Sequence, residues 1–142
     1  KNKSRKAFSH GLEKTIMEYK ALNTNLIFIK QTPEQKNNSK HIFYSIDKLK
    51  NKDKAKKIEF FSTSKIKHLK LQKFVNDEFD LYSKEKKLNF INLNKNFCPK
   101  KTCLLGSIKG SFYVDTSHIS NLGIKLISNT LEKNLDKTLI IN

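Results

Sequence analysis

The chain has 142 residues, 37% of them hydrophobic, with 29 basic and 13 acidic side chains and a formal charge of +16. That length excludes more than one ordinary domain, and ten phenylalanines exclude general disorder. The charge invites a polyanion, but Arg5 is the only arginine and lysines scatter through every segment, which weighs against specific nucleic-acid recognition, since that leans on the guanidinium fork.

No apolar run is long enough to span a bilayer, and Lys1 to Lys6 lacks the apolar core of a signal peptide, so export would be directed by sequence outside this stretch. Residues 1 to 7 read as a charged, frayed lead-in. Phe8, Leu12, Ile16, Tyr19 and Leu22 then recur at helical spacing and predict an amphipathic helix from Phe8 to Leu22, its stripe facing a sheet. Asn23-Thr24-Asn25 breaks it. Leu26-Ile27-Phe28-Ile29 follows as a continuous apolar run, the pattern of a parallel strand buried on both faces, and Thr32-Pro33 ends it. Loops at the carboxyl ends of such strands line ligand crevices, so Gln31 to Glu34 is a candidate site wall or an ordinary turn.

From Gln35 to Lys57 the chain is polar and rich in lysine, which predicts a solvated loop. Within it Ile42-Phe43-Tyr44-x-Ile46 reads as one strand or one helical turn. Ser62-Thr63-Ser64 offers capping hydroxyls for a second helix from Ser64 to Lys86, marked by Leu71, Phe74, Val75, Phe79 and Tyr82. Leu88 to Leu93 is the next strand. Helix and strand alternate, so an α/β fold is expected, with this strand parallel to the first.

Asn94 to Gly110 reads as an irregular loop holding Cys98 and Cys103. The two cysteines are reduced thiols, part of a zinc site or a short disulfide. A four-ligand zinc site needs two more Cys or His in metal spacing and none is present, which favours the disulfide. Closing so small a loop contributes on the order of 2 kcal/mol and implies an oxidising compartment. Ser120 can cap a last helix, beginning at Ile119 or Asn121 and running to about Leu135. Gly123 in its first turn implies close packing or a tight loop against neighbouring backbone. Leu139-Ile140-Ile141 is a final short strand or a tail.

Between the predicted strand and the last helix lies Asp115-x-x-His118. A carboxylate beside an imidazole can fix its tautomer and support the imidazolium, as a general base requires. The alternative is a capped loop in which the pair only shapes the backbone. His10, His41 and His68 lie among lysines with no acid at a useful spacing and read as surface residues.

At these residues the sequence resembles a family. Tyr113-Val114-Asp115-Thr116-Ser117-His118-Ile119-Ser120-x-x-Gly123 is similar to the last conserved block of SGNH hydrolases and acyltransferases, in which Asp-x-x-His supplies the acid and base of a serine triad. The cysteine pair just upstream fits the subgroup fused to membrane acyltransferases that O-acylate bacterial surface polysaccharides. So does the order helix, strand, Thr-Pro-Glu at Gly11 to Leu22, Leu26 to Ile29 and Thr32 to Glu34. The family's Gly-Asp-Ser nucleophile block and its oxyanion-hole Gly and Asn are not in this sequence, and neither Gly106-Ser107 nor Gly110-Ser111 sits in a predicted strand-to-helix elbow.

The resemblance therefore implies a partial flavodoxin-like three-layer sandwich with a parallel sheet whose first strands are absent, residues 1–142 forming the C-terminal portion of one SGNH domain. It implies an extracytoplasmic serine O-acyltransferase or esterase to which Asp115 and His118 are supplied, with an acyl donor and a cell-surface polysaccharide acceptor as partners. It also implies an upstream membrane acyltransferase region tethering the domain to the inner membrane on its periplasmic side, and neither cofactor nor metal. The competing expectation is a non-catalytic basic module that binds anionic glycans or nucleic acid.

Overall fold

The computed structural model describes residues 2–86 and 88–139. The first helix, α1, spans Asn2–Ala21, so residues 2 to 7 are not a frayed lead-in. Lysine and arginine are good helix formers, and Arg5 stacks its guanidinium 4.8 Å above the Phe74 ring while Phe8 meets the same ring edge-on at 5.7 Å. Those two contacts hold the first turns. Leu12 and Ile16 are buried as expected, but Leu22 lies past the helix end and is 72% exposed.

Strand β1 (Ile27–Ile29) pairs in parallel with β3 (Asn89–Ile91) in the register Ile27–Asn89, Phe28–Phe90 and Ile29–Ile91. Between them lie α2 (Ser39–Ile46), α3 (Asn51–Phe61), β2 (Thr63–Ser64) and α4 (Lys65–Lys86). Alternation along β1 and β3 sends Phe28 and Phe90 to one face, against Phe8, Leu12, Ile16 and Phe79 of α1 and α4. Ile27 and Ile91 go to the other, against Ile127 of the last helix. Helices thus cover both faces of a small parallel sheet, the three-layer α/β arrangement that was expected. Ile29, however, is 54% exposed, so β1 is not buried on both faces along its length.

The stretch from Gln35 to Lys57 is a helical pair, not a solvated loop. Asn38 caps α2 by accepting from the amides of Lys40 and His41 at 3.0 and 3.4 Å. Ile46 of α2 and Ile58 of α3 close a third core with Leu105, joined by Ile42, Phe43 and Phe61. Lysine density hid this amphipathic pattern because long stems can run along apolar surface with their ammonium groups in water.

After β3 the chain forms α5 (Asn94–Phe97), β4 (Thr102–Cys103), β5 (Gly106–Ser107) and β6 (Gly110–Ser111) before α6 (Asn121–Leu139). What reads as an irregular loop thus holds a short helix, a strand (β4) that pairs antiparallel with β2, and the start of an antiparallel ladder of β5 with β6. The expected Cys98–Cys103 disulfide is formed, with both residues buried in the same core as Phe97 and Tyr113. α6 runs on through Leu139, so that residue is neither strand nor tail, and residues 140–142 lie outside those described. Among the described residues no helix is long and apolar enough to cross a membrane.

Candidate active site

Asp115 and His118 sit on a loop closed at its neck by two backbone bonds. Val114 N–H donates to His118 O at 2.7 Å and Ser120 N–H donates to Phe112 O at 2.9 Å. The Ser120 hydroxyl caps α6 by accepting from Gly123 N–H and itself donates to Ser111 O. Gly123 is required by proximity, since a Cβ there would collide with the carbonyl oxygen of Phe112. The end of the loop is therefore fixed to the first turn of α6.

Inside the loop the Asp115 carboxylate accepts three hydrogen bonds. Its Oδ1 takes the backbone amides of Ser117 and His118 at 2.8 and 2.9 Å, and its Oδ2 lies 2.6 Å from His118 Nδ1. Those two amides, with the bound imidazole, hold the carboxyl well below the usual carboxylate range. An ionised carboxylate only accepts, so Nδ1 carries the proton, and in the neutral ring Nε2 is then the acceptor. The His118 side chain is 80% exposed. A carboxylate-oriented imidazole open to solvent can take a proton from a hydroxyl brought against it.

The segment after β1 docks on this loop. Gln35 N–H donates to Thr116 O at 2.7 Å and Ser39 N–H to Asp115 O at 3.2 Å. Gln35 is buried, and its amide group donates to Cys103 O and accepts from Thr63 N–H, each at 3.1 Å. One side chain thus ties β2, the disulfide-bearing β4 and, through its own backbone, the Asp115 loop. Of the expected site wall, Gln31 instead accepts from the Gln72 side chain on α4 at 2.9 Å, while Glu34 stands exposed beside a cavity shared with α4.

His68 is a correction. It is 2% exposed, not a surface residue, and its Nε2 lies 3.1 Å from Asn94 Oδ1. Burial pulls its imidazole below the ordinary value, against the opposing hydrogen bond. The glycine-adjacent serines are engaged locally: Ser111 Oγ donates to Tyr113 O at 2.6 Å and Ser107 Oγ accepts from Lys109 N–H at 3.2 Å. Sequence reasoning missed Gln35 and Ser39 on the loop. The Asn38 cap ahead of Ile42 and Ile46 is the one local signal that could have pointed there.

A family model for the SGNH domain (fused to AT3 domains) matches residues 1–133. Among curated proteins nothing matches. Among solved structures the chain is similar to the periplasmic domain of a lipopolysaccharide acetyltransferase from Salmonella serovar Paratyphi A, at 17% identity and a TM-score of 0.63. The likeness takes in 92% of this chain and 50% of that one, so the chain spans about half the length of that domain. At this identity the match speaks for the fold alone.

Proposed function

The chain belongs to the family of SGNH domains fused to AT3 domains, and from that premise we propose that it contributes the acid–base half of a serine O-acyltransferase or esterase acting on cell-surface polysaccharide. His118 Nε2 takes the proton of a serine hydroxyl as that oxygen attacks the acyl donor's carbonyl, and the leaving group departs with a proton returned by the imidazolium. Asp115 keeps the ring in the productive tautomer and balances its charge while protonated. In the second half-reaction His118 takes the proton of a sugar hydroxyl, whose oxygen attacks the acyl-enzyme and carries the acyl group away. Water in place of the sugar gives hydrolysis.

The observation that carries this reading is the 2.6 Å contact between His118 Nδ1 and Asp115 Oδ2 on an exposed loop. The serine and the oxyanion donors come, in this proposal, from polypeptide outside these residues, with 1–142 as the C-terminal portion of one domain. Three features support that. The chain aligns with about half of a larger domain of the same fold, among the described residues the β1–β3 sheet has two strands, and Ile29 on β1 is exposed. A further strand against β1 would cover it, together with the open apolar groove of about 370 Å³ between α1, Phe28 and Phe79. The family's AT3 fusion and the buried disulfide support a periplasmic location, with a membrane acyltransferase region as tether.

His118→Ala in the intact protein tests the reading. Acyl transfer should fall by at least about 10⁴-fold with thermal unfolding unchanged, because the side chain is exposed. Transfer that persists removes His118 as the base.

A further inference from the structure

Beside the first turns of α4 lies a cavity of about 260 Å³ that the acid–base chemistry leaves unused. It is walled by Glu34, Lys36, Thr63, Lys67, His68 and Leu71. Its position relative to the Asp115 loop is fixed by Gln35, which lines the cavity and donates its backbone N–H to Thr116 O at 2.7 Å. Cavity and loop therefore share one segment of chain.

The polar groups at the back of this cavity are already engaged. Thr63 Oγ1 donates to Glu34 O and accepts from Lys36 N–H, the Gln35 amide is bonded to Cys103 and Thr63, and His68 is bonded to Asn94. Burial lowers the His68 pKa and so disfavours a charge there. What is left among the lining residues is the exposed side chains of Lys36, Lys67 and Glu34. Among the described residues none of the three is in an ion pair. Two cations and one anion leave one positive charge in excess. Leu71, 64% exposed, adds an apolar wall against which the C–H face of a sugar ring can lie. The volume falls just under the range of roughly 300–1,000 Å³ typical of ligand pockets, enough for one ring and not for a chain.

We propose that this cavity is a subsite for one residue of an acidic saccharide, its carboxylate received by Lys36 and Lys67 and a ring hydroxyl donated to Glu34. The proposal rests on the reading that Asp115 and His118 serve transfer to a polysaccharide, and it names the class of acceptor: a glycan carrying uronic-acid units. A charge-assisted pair on each lysine is what would separate such a unit from its neutral counterpart.

Equilibrium binding of trigalacturonate and of galactotriose to the intact protein tests it. Trigalacturonate should bind at least about tenfold more tightly, and Lys36→Gln/Lys67→Gln should abolish that preference. Because the protein is strongly basic, Lys125→Gln/Lys133→Gln on α6 controls for diffuse attraction and should change the preference less than about twofold. Equal affinity for the two sugars, no binding of either, or an equal loss in the control pair would overturn the subsite. Binding is read without turnover, so this outcome is separate from that of His118→Ala: a lost preference with His118-dependent transfer removes the subsite alone, and His118-independent transfer removes the catalytic reading.

Discussion

Two histidines mark two regions of this protein built on opposite terms. His118 stands in solvent at 80% side-chain exposure with a carboxylate on its Nδ1, and His68 is 2% exposed with the amide of Asn94 on its Nε2. A carboxylate gains from a positive ring beside it, while an amide in the interior offers little against the loss of water. The second region disfavours the charged ring. Environment and not residue type decides which imidazole is available to chemistry.

Asp115→Asn breaks the contrast most sharply. Asparagine keeps an oxygen for the amides of Ser117 and His118, so unfolding should shift little, but it removes the charge that supports the imidazolium and frees the wrong tautomer. Acyl transfer should fall by about 10³–10⁴-fold, read as the initial rate in the intact protein. A loss below about tenfold would mean that the carboxylate serves the loop and not the ring.

Gln35 lies between the two regions, lining the cavity beside His68 and bonded to Thr116 beside Asp115. Gln35→Ala strands the Thr63 amide and the Cys103 carbonyl in the interior, which should lower stability by about 2 kcal/mol in urea unfolding. Transfer should fall too, but less than for Asp115→Asn, since the Gln35 backbone bond to Thr116 survives. Unchanged stability would separate the regions mechanically.

The smallest effect belongs to pH. His68 binds its proton less readily folded than unfolded, where an imidazole titrates near about 6.5. The unfolded chain therefore takes up more protons as pH falls. His68's contribution is fully present above about 6.5 and is lost as pH descends through the folded value. The thermal midpoint should drop between about pH 7.5 and 5.5, and His68→Gln should flatten that limb. A limb of the same slope in both proteins would assign it to other groups.

The difference between the regions also explains what could be read from sequence. Asp115 and His118 are three residues apart, so their pairing is visible in the chain itself. α1, β1, α4, β3 and α6 were legible for a related reason, because each carries an apolar pattern that decides its face within a few residues. Gln35 and His68 were not. Gln35 meets partners 28 and 68 positions away, and Asn94 lies 26 positions beyond His68. Nothing local distinguishes either from a polar residue in a lysine-rich stretch. α2 and α3 were missed because lysine carries aliphatic stem and charge together: Lys54 reaches Asp47 with its own side chain 13% exposed, so a residue counted as polar helps cover the core.

The neck bonds between Phe112 and Ser120 and between Val114 and His118 leave the Asp115 and His118 side chains aligned by a single short stretch of backbone. In the proposed reaction an incoming serine has one distance to satisfy, from its oxygen to a ring nitrogen that the Asp115 contact already aims. Under the proposed function, completing the triad thereby reduces to a docking problem with a single target atom, and small errors in that docking leave the Asp115–His118 pair undisturbed.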